Sequence, residues 1–221
     1  MALILFFIQL IALYFVSRVT IQELFHFFQR FIKSERVLFV LMSVLFFPGT
    51  LFHEAAHLFV ALLLLLKVRE IKIFPELEDG KIKLGKVTYE KRDFVRGIVV
   101  GIAPILSALF LFWFFAYFKI FPQESLLANL FLGYIVFTVS STMFSSRQDL
   151  VDVIYVIPFA IFLIGVFYIF DIRLQVVFQN KQAVEAVFDT VQQINFYLLF
   201  SLLINLFGII VLKAVRSFLR K

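Results

Sequence analysis

Within Phe52-His53-Glu54-Ala55-Ala56-His57-Leu58-Phe59, two imidazoles and a carboxylate stand inside one of the most apolar runs of the chain. On a helix, residues four apart share a face, so His53 and His57 can aim nitrogens at one metal ion while Glu54 sits beside them as a base toward a water on that ion. The H-E-x-x-H spacing also arises by chance, and a mutually satisfied pair of core histidines is the plainer account. Location shifts the balance toward metal. Ionisable groups at membrane depth cost about 2.5–3.5 kcal/mol on insertion scales and are retained chiefly where they have a partner or a task.

Composition places this motif in a membrane. Of 221 residues, 62% are hydrophobic and 33 are phenylalanine, with mean hydropathy +1.00, well above the apolar share of a soluble domain. The absence of cysteine excludes disulfides and thiolate ligands, so a metal must be held by nitrogen and oxygen donors, which favours Zn2+. With 3 histidines, the chain is too poor for a histidine-rich di-iron site, and the two histidines in the apolar run are already taken by the motif, which argues against a serine–histidine pair. The net charge of +6 does not indicate nucleic-acid binding, because the basic residues fall mostly in short loops beside apolar spans.

The elements that must position the motif follow from hydropathy and breakers. The pattern predicts an all-α polytopic membrane protein, about six transmembrane helices with a small β-hairpin after the H-E-x-x-H helix, folded as one membrane-embedded domain over 1–221 with its core at 37–170. Residues 1–17 lack a basic leader region and read as a retained membrane segment. Residues 21–33 are amphipathic and predict a separate interfacial helix with His26 on its wet face. The apolar run 37–66 is too long for one straight span, and Pro48-Gly49-Thr50 predicts a break with a new helix starting near Thr50. Alternation on either side of Leu77-Glu78-Asp79-Gly80 predicts the hairpin at 69–90. Further spans are expected at 94–118, 126–144, 150–170 and 195–216, with an amphipathic stretch at 181–192. Of the 21 lysines and arginines, 14 fall on the side that holds residues 67–96, Arg147 and the C-terminal tail, which predicts cytoplasmic termini, although the flanks of the first segment alone point the other way.

A catalytic zinc usually takes three protein ligands, and the missing class is a carboxylate. Asp149 and Asp152 stand out because they open an apolar segment directly after a serine cluster. Asp149 also fits a capping box with Ser146, and one carboxylate can serve both purposes. The polar stretch Ser140 to Gln148 reads as a wet entrance to such a site.

With these residues in view, the chain resembles the site-2 protease family of intramembrane metalloproteases over most of residues 45–155. His53 and His57 match the paired ligands of that family, Glu54 its general base, Gly101 and Pro104 loosely its Gly-Pro span, and Asp149 the aspartate of divergent branches. There is no Asn-Pro-Asp-Gly stretch, and Ser107 stands near where an asparagine is typical. The resemblance implies a zinc endopeptidase acting on a transmembrane protein or peptide substrate amid membrane lipid, with the hairpin holding the substrate extended. A non-catalytic, metal-stabilised scaffold or chaperone is the alternative, and a metal transporter fares worse for want of further acids in the spans. Metal analysis of purified variants separates the two aspartates: zinc is expected to be lost from Asp149→Ala and kept by Asp152→Ala.

Overall fold

The computed structural model describes residues 1–72, 76–78, 81–83, 86–89, 93–144 and 181–218. Helix α1 (Ala2–Gln29) leads into α2 (Glu35–Leu63). Four short strands follow, β1 (Val68–Lys72), β2 (Glu76–Glu78), β3 (Lys81–Lys83) and β4 (Lys86–Tyr89), and then α3 (Phe94–Tyr117), α4 (Leu126–Thr142) and α5 (Lys181–Phe218). Helices α1, α2, α3 and α5 are long and apolar enough to cross a membrane, so the protein is a helical membrane protein. Helix α4 has 17 residues, about 26 Å of rise against a hydrocarbon core of about 30 Å. The expected span at 150–170 lies outside the described residues, as do Asp149 and Asp152.

Strands β1 and β4 pair antiparallel, with an irregularity between Val68 and Glu70, and β2 and β3 pair antiparallel within them in chain order. The inner register sets Glu76 opposite Lys83 and Glu78 opposite Lys81.

Three expected breaks are absent. Helix α1 runs unbroken through the stretch expected to divide a span from an interfacial helix. No glycine or proline interrupts it, and its second half is held against α5: Thr20 Oγ1 lies 3.0 Å from Val16 O and 3.4 Å from Asn205 O, and Glu23 pairs with Arg216 at 3.4 Å. His26 remains on the exposed side, with its Nδ1 2.7 Å from Gln22 O. Helix α5 likewise joins the amphipathic stretch to the last span. Helix α2 continues through Pro48 instead of restarting at Thr50. Proline removes one backbone donor, yet inside a membrane bundle neighbouring groups can serve the loosened carbonyls. Here the Tyr134 hydroxyl of α4 donates to Leu45 O at 2.7 Å, and Thr50 Oγ1 lies 3.2 Å from Phe46 O and 3.1 Å from Phe47 O. Thr50 therefore bonds backwards along the helix and does not cap a new one. At 29 residues, about 44 Å, α2 exceeds the hydrocarbon thickness, so it either tilts or carries its charged start, Glu35-Arg36, into the headgroup region.

The main apolar core joins α1, α3, α4 and α5 through Leu13, Phe112, Val136, Tyr197 and Leu198. Tyr197 stacks on Phe112 and donates its hydroxyl to Phe121 O at 2.6 Å. Helices α1 and α5 run side by side in the same direction, since Asn195 Nδ2 donates to Ala2 O at one end and Arg216 meets Glu23 at the other.

Helices α2 and α4 touch backbone to backbone at Gly49. A Cβ placed there would fall on Thr138 O and within 2.6 Å of Thr142 Oγ1. Gly49→Ala is therefore expected to destabilise the protein by about 1–3 kcal/mol, because a carbonyl in a helix cannot yield as a side chain can. Gly208→Ala, whose Cβ would enter open space, is expected to cost nothing. Equilibrium unfolding in detergent checks the pair.

Candidate metal centre on α2

Among the buried residues of α2, Phe39, Met42, Phe46, Gly49, His53 and Ala56 follow alternating steps of three and four that make one stripe along the helix, with Leu38, Ser43, Thr50 and His57 beside it. His53 belongs to that stripe and His57 follows one turn later, so the packing that buries the stripe also carries both imidazoles inward. They are 3% and 8% exposed, which removes them from water and makes their nitrogen partners decisive.

Those partners converge. His57 Nε2 and His53 Nε2 lie 3.1 Å apart, with the rings edge to face and their centroids 4.8 Å apart. Two nitrogens bound to one zinc at about 2.0–2.1 Å in tetrahedral geometry are roughly 3.3–3.4 Å apart, within a few tenths of what is observed. The same distance suits an Nε2–H···Nε2 hydrogen bond, so these two atoms are matched with or without an ion. On the other side of His57, Nδ1 is 2.9 Å from Val100 O of α3. A carbonyl only accepts, so Nδ1 carries the hydrogen and the neutral ring keeps its lone pair on Nε2, the atom that faces His53.

The register that brings Val100 to His57 is set one turn earlier on α3. Asp93 caps the helix by accepting from Arg96 N at 2.8 Å and pairs with Arg96 Nε at 3.1 Å. Arg96 Nη1 then donates to Leu64 O, at the C-terminal end of α2, at 3.2 Å. This clamp fastens the start of α3 to the end of α2 with the two helices antiparallel. Asp93 ahead of an apolar run is a helix-start signal visible in the sequence, whereas the reach of Arg96 to Leu64 is not.

Glu54 follows His53 by about 100° around the helix and is half-buried on the flank of the stripe. None of the three motif residues is isolated, since each takes part in at least one interaction besides those given above. Among the described residues, no group of three histidine, cysteine, aspartate or glutamate side chains comes together. Asp149, expected as the third ligand, and Asp152, its alternative, lie outside them. Ser107 sits half-buried on α3, two turns beyond Val100 on the same face.

Ser140, Ser141 and Thr142 do not form the expected wet entrance. All three are buried, and their hydroxyls bond Phe137 O, Asn205 Oδ1 and Thr138 O at 3.0, 3.3 and 2.9 Å. The cluster is used in helix packing, and the rest of the expected entrance, Ser145 to Gln148, lies outside the described residues. Asn205, fully buried on α5, is the residue that the sequence reading passed over. A lone asparagine in an apolar run is the usual sign of a polar interhelical contact.

No family model, curated protein or solved structure matches this chain. The two histidines fit one half of a nitrogen–oxygen metal site. Replacing either His53 or His57 by alanine is expected to reduce bound zinc from about one per chain to background, measured by elemental analysis of the purified protein. His57→Ala also leaves Val100 O without its donor, a further loss of about 1–3 kcal/mol in unfolding.

Proposed function

We propose that this chain is a zinc-dependent endopeptidase that hydrolyses peptide bonds of membrane-protein segments within or beside the bilayer, as a divergent relative of the site-2 proteases. The observation that carries this reading is the 3.1 Å approach of two buried Nε2 atoms on a membrane helix whose neighbour holds one ring in the tautomer suited to metal. His53 and His57 would hold the ion, with Asp149 as the third ligand and Asp152 as its alternative. Zinc, when bound, supplies Lewis acidity toward water and the scissile carbonyl. Glu54, on the flank of the same helix turn, takes the proton from the attacking water and returns it to the leaving amine. Glu54 is half-buried, so it is not sealed inside the bundle as the two histidines are.

A helical substrate hides its carbonyls in internal hydrogen bonds, so it has to be held extended, and the edges of the short ladders formed by β1 to β4 suit strand addition. That strand region belongs to the stretch richest in lysine and arginine, so in this reading it faces the cytoplasm and anionic lipid.

The alternative is a metal-stabilised scaffold that binds membrane proteins without cleaving them. Glu54→Gln separates the two in vesicles that contain the full chain and a transmembrane peptide. The variant is expected to keep its zinc and to lose cleavage by about 10²–10⁴-fold. Zinc bound by the wild type with no cleavage of any transmembrane peptide supports the scaffold instead.

A further inference from the structure

We propose that Pro104 is a positioning residue for the metal centre, acting through the carbonyl of Val100 on the tautomer of His57. This rests on the metal-site reading given above, and it adds a residue that touches neither metal nor substrate.

In an α-helix, the carbonyl of residue i accepts from the amide of residue i+4. For Val100 that residue is Pro104, which lies inside α3, is almost wholly buried and has no amide hydrogen. Val100 O is thereby left without its helical donor in a place with no access to water, since Val100 is 0% exposed. An acceptor buried in this way needs a donor from outside its own helix. His57 Nδ1, at 2.9 Å, is the donor that the structure provides. The proline ring also crowds the carbonyl four residues before it and turns it away from the helix axis, toward a neighbouring helix.

The consequence reaches the far side of the imidazole. With its hydrogen committed to Nδ1, neutral His57 presents a bare Nε2 toward His53 Nε2 at 3.1 Å. Metal-binding histidines are commonly oriented by a bond from their second nitrogen to a carbonyl, and losing that bond costs affinity. In this chain the partner carbonyl is available because position 104 cannot use it. Any residue with an amide at 104 would close the helical bond and compete with His57 for the same oxygen. The Asp93–Arg96–Leu64 clamp one turn earlier holds the two helices in the register that this bond needs.

Pro104→Ala restores the amide and improves helix propensity, so a purely structural role for the proline predicts equal or better stability and unchanged metal binding. The positioning role predicts that zinc affinity, measured by chelator competition on the full chain in detergent, falls about 10- to 100-fold with stability kept. With 3 histidines in the chain, selective ¹⁵N-histidine labelling resolves the His57 ring in the metal-free protein. There, the fixed Nδ1–H tautomer of the wild type should give way to a mixture in Pro104→Ala. A third variant separates amide from ring: lactic acid at 104, introduced as a backbone ester, has neither the N–H nor the pyrrolidine. It should recover both the wild-type tautomer and zinc affinity. Unchanged affinity and tautomer in Pro104→Ala, or an ester variant that behaves like Pro104→Ala, overturns the proposal. A wild type that binds no zinc overturns the metal-site reading alone, and the metal-free tautomer then decides the role of Pro104.

Discussion

A donor or acceptor inside this bundle cannot turn to water, so wherever another helix meets it the bond fixes how the two helices sit. Arg96 reaches Leu64 O, His57 reaches Val100 O, Tyr134 reaches Leu45 O, and Ser141 reaches Asn205. Each bond joins two helices at a defined height, which apolar contact alone does poorly in a lipid as greasy as leucine. The apolar surface fills the space between these points, and the points determine which residues face one another.

The two intrahelical prolines show the same constraint at work. Pro48 and Pro104 each withdraw one amide from a helix ladder; at Pro104 the carbonyl left free, Val100 O, is met by His57 of α2, and beside Pro48 the next carbonyl along, Leu45 O, is met by Tyr134 of α4. In a soluble helix, water would serve a freed carbonyl, and proline would mark an end. At Val100 the neighbouring helix does so, and the chain continues. Proline therefore acts in this protein less as a breaker than as a means of directing a backbone acceptor outward from its own helix.

This explains what could and could not be read from the residues alone. The apolar spans were legible because hydropathy needs no knowledge of neighbours, and the His53–His57 pair because a step of four on a helix is local geometry. Of the six or so spans expected, four match helices long enough to cross a membrane among the described residues, and His26 is exposed as expected. The breaks expected near Thr20 and at Pro48 were misplaced because they rest on rules for isolated helices, whereas Thr20, Glu23 and Leu45 are held by α4 and α5. Gly49 was read as part of a break in the helix. Its actual part is to leave room for the Thr138 carbonyl, a requirement visible only once α4 is alongside. The serines at 140 and 141 looked wet because polarity was judged without the partners that bury them.

The polar seam between α1 and α5 bears on how the chain is made. Gln9, Ser17 and Thr20 lie buried on α1, while Asn195, Ser201 and Asn205 lie buried on α5, which follows α1 to α4 in the chain. During synthesis, α1 must wait in lipid, or in the care of the insertion machinery, with its polar stripe uncovered until α5 arrives. Maturation is thus gated by translation of α5, and a nascent chain stalled before it would present to membrane quality control the very face that the folded protein conceals.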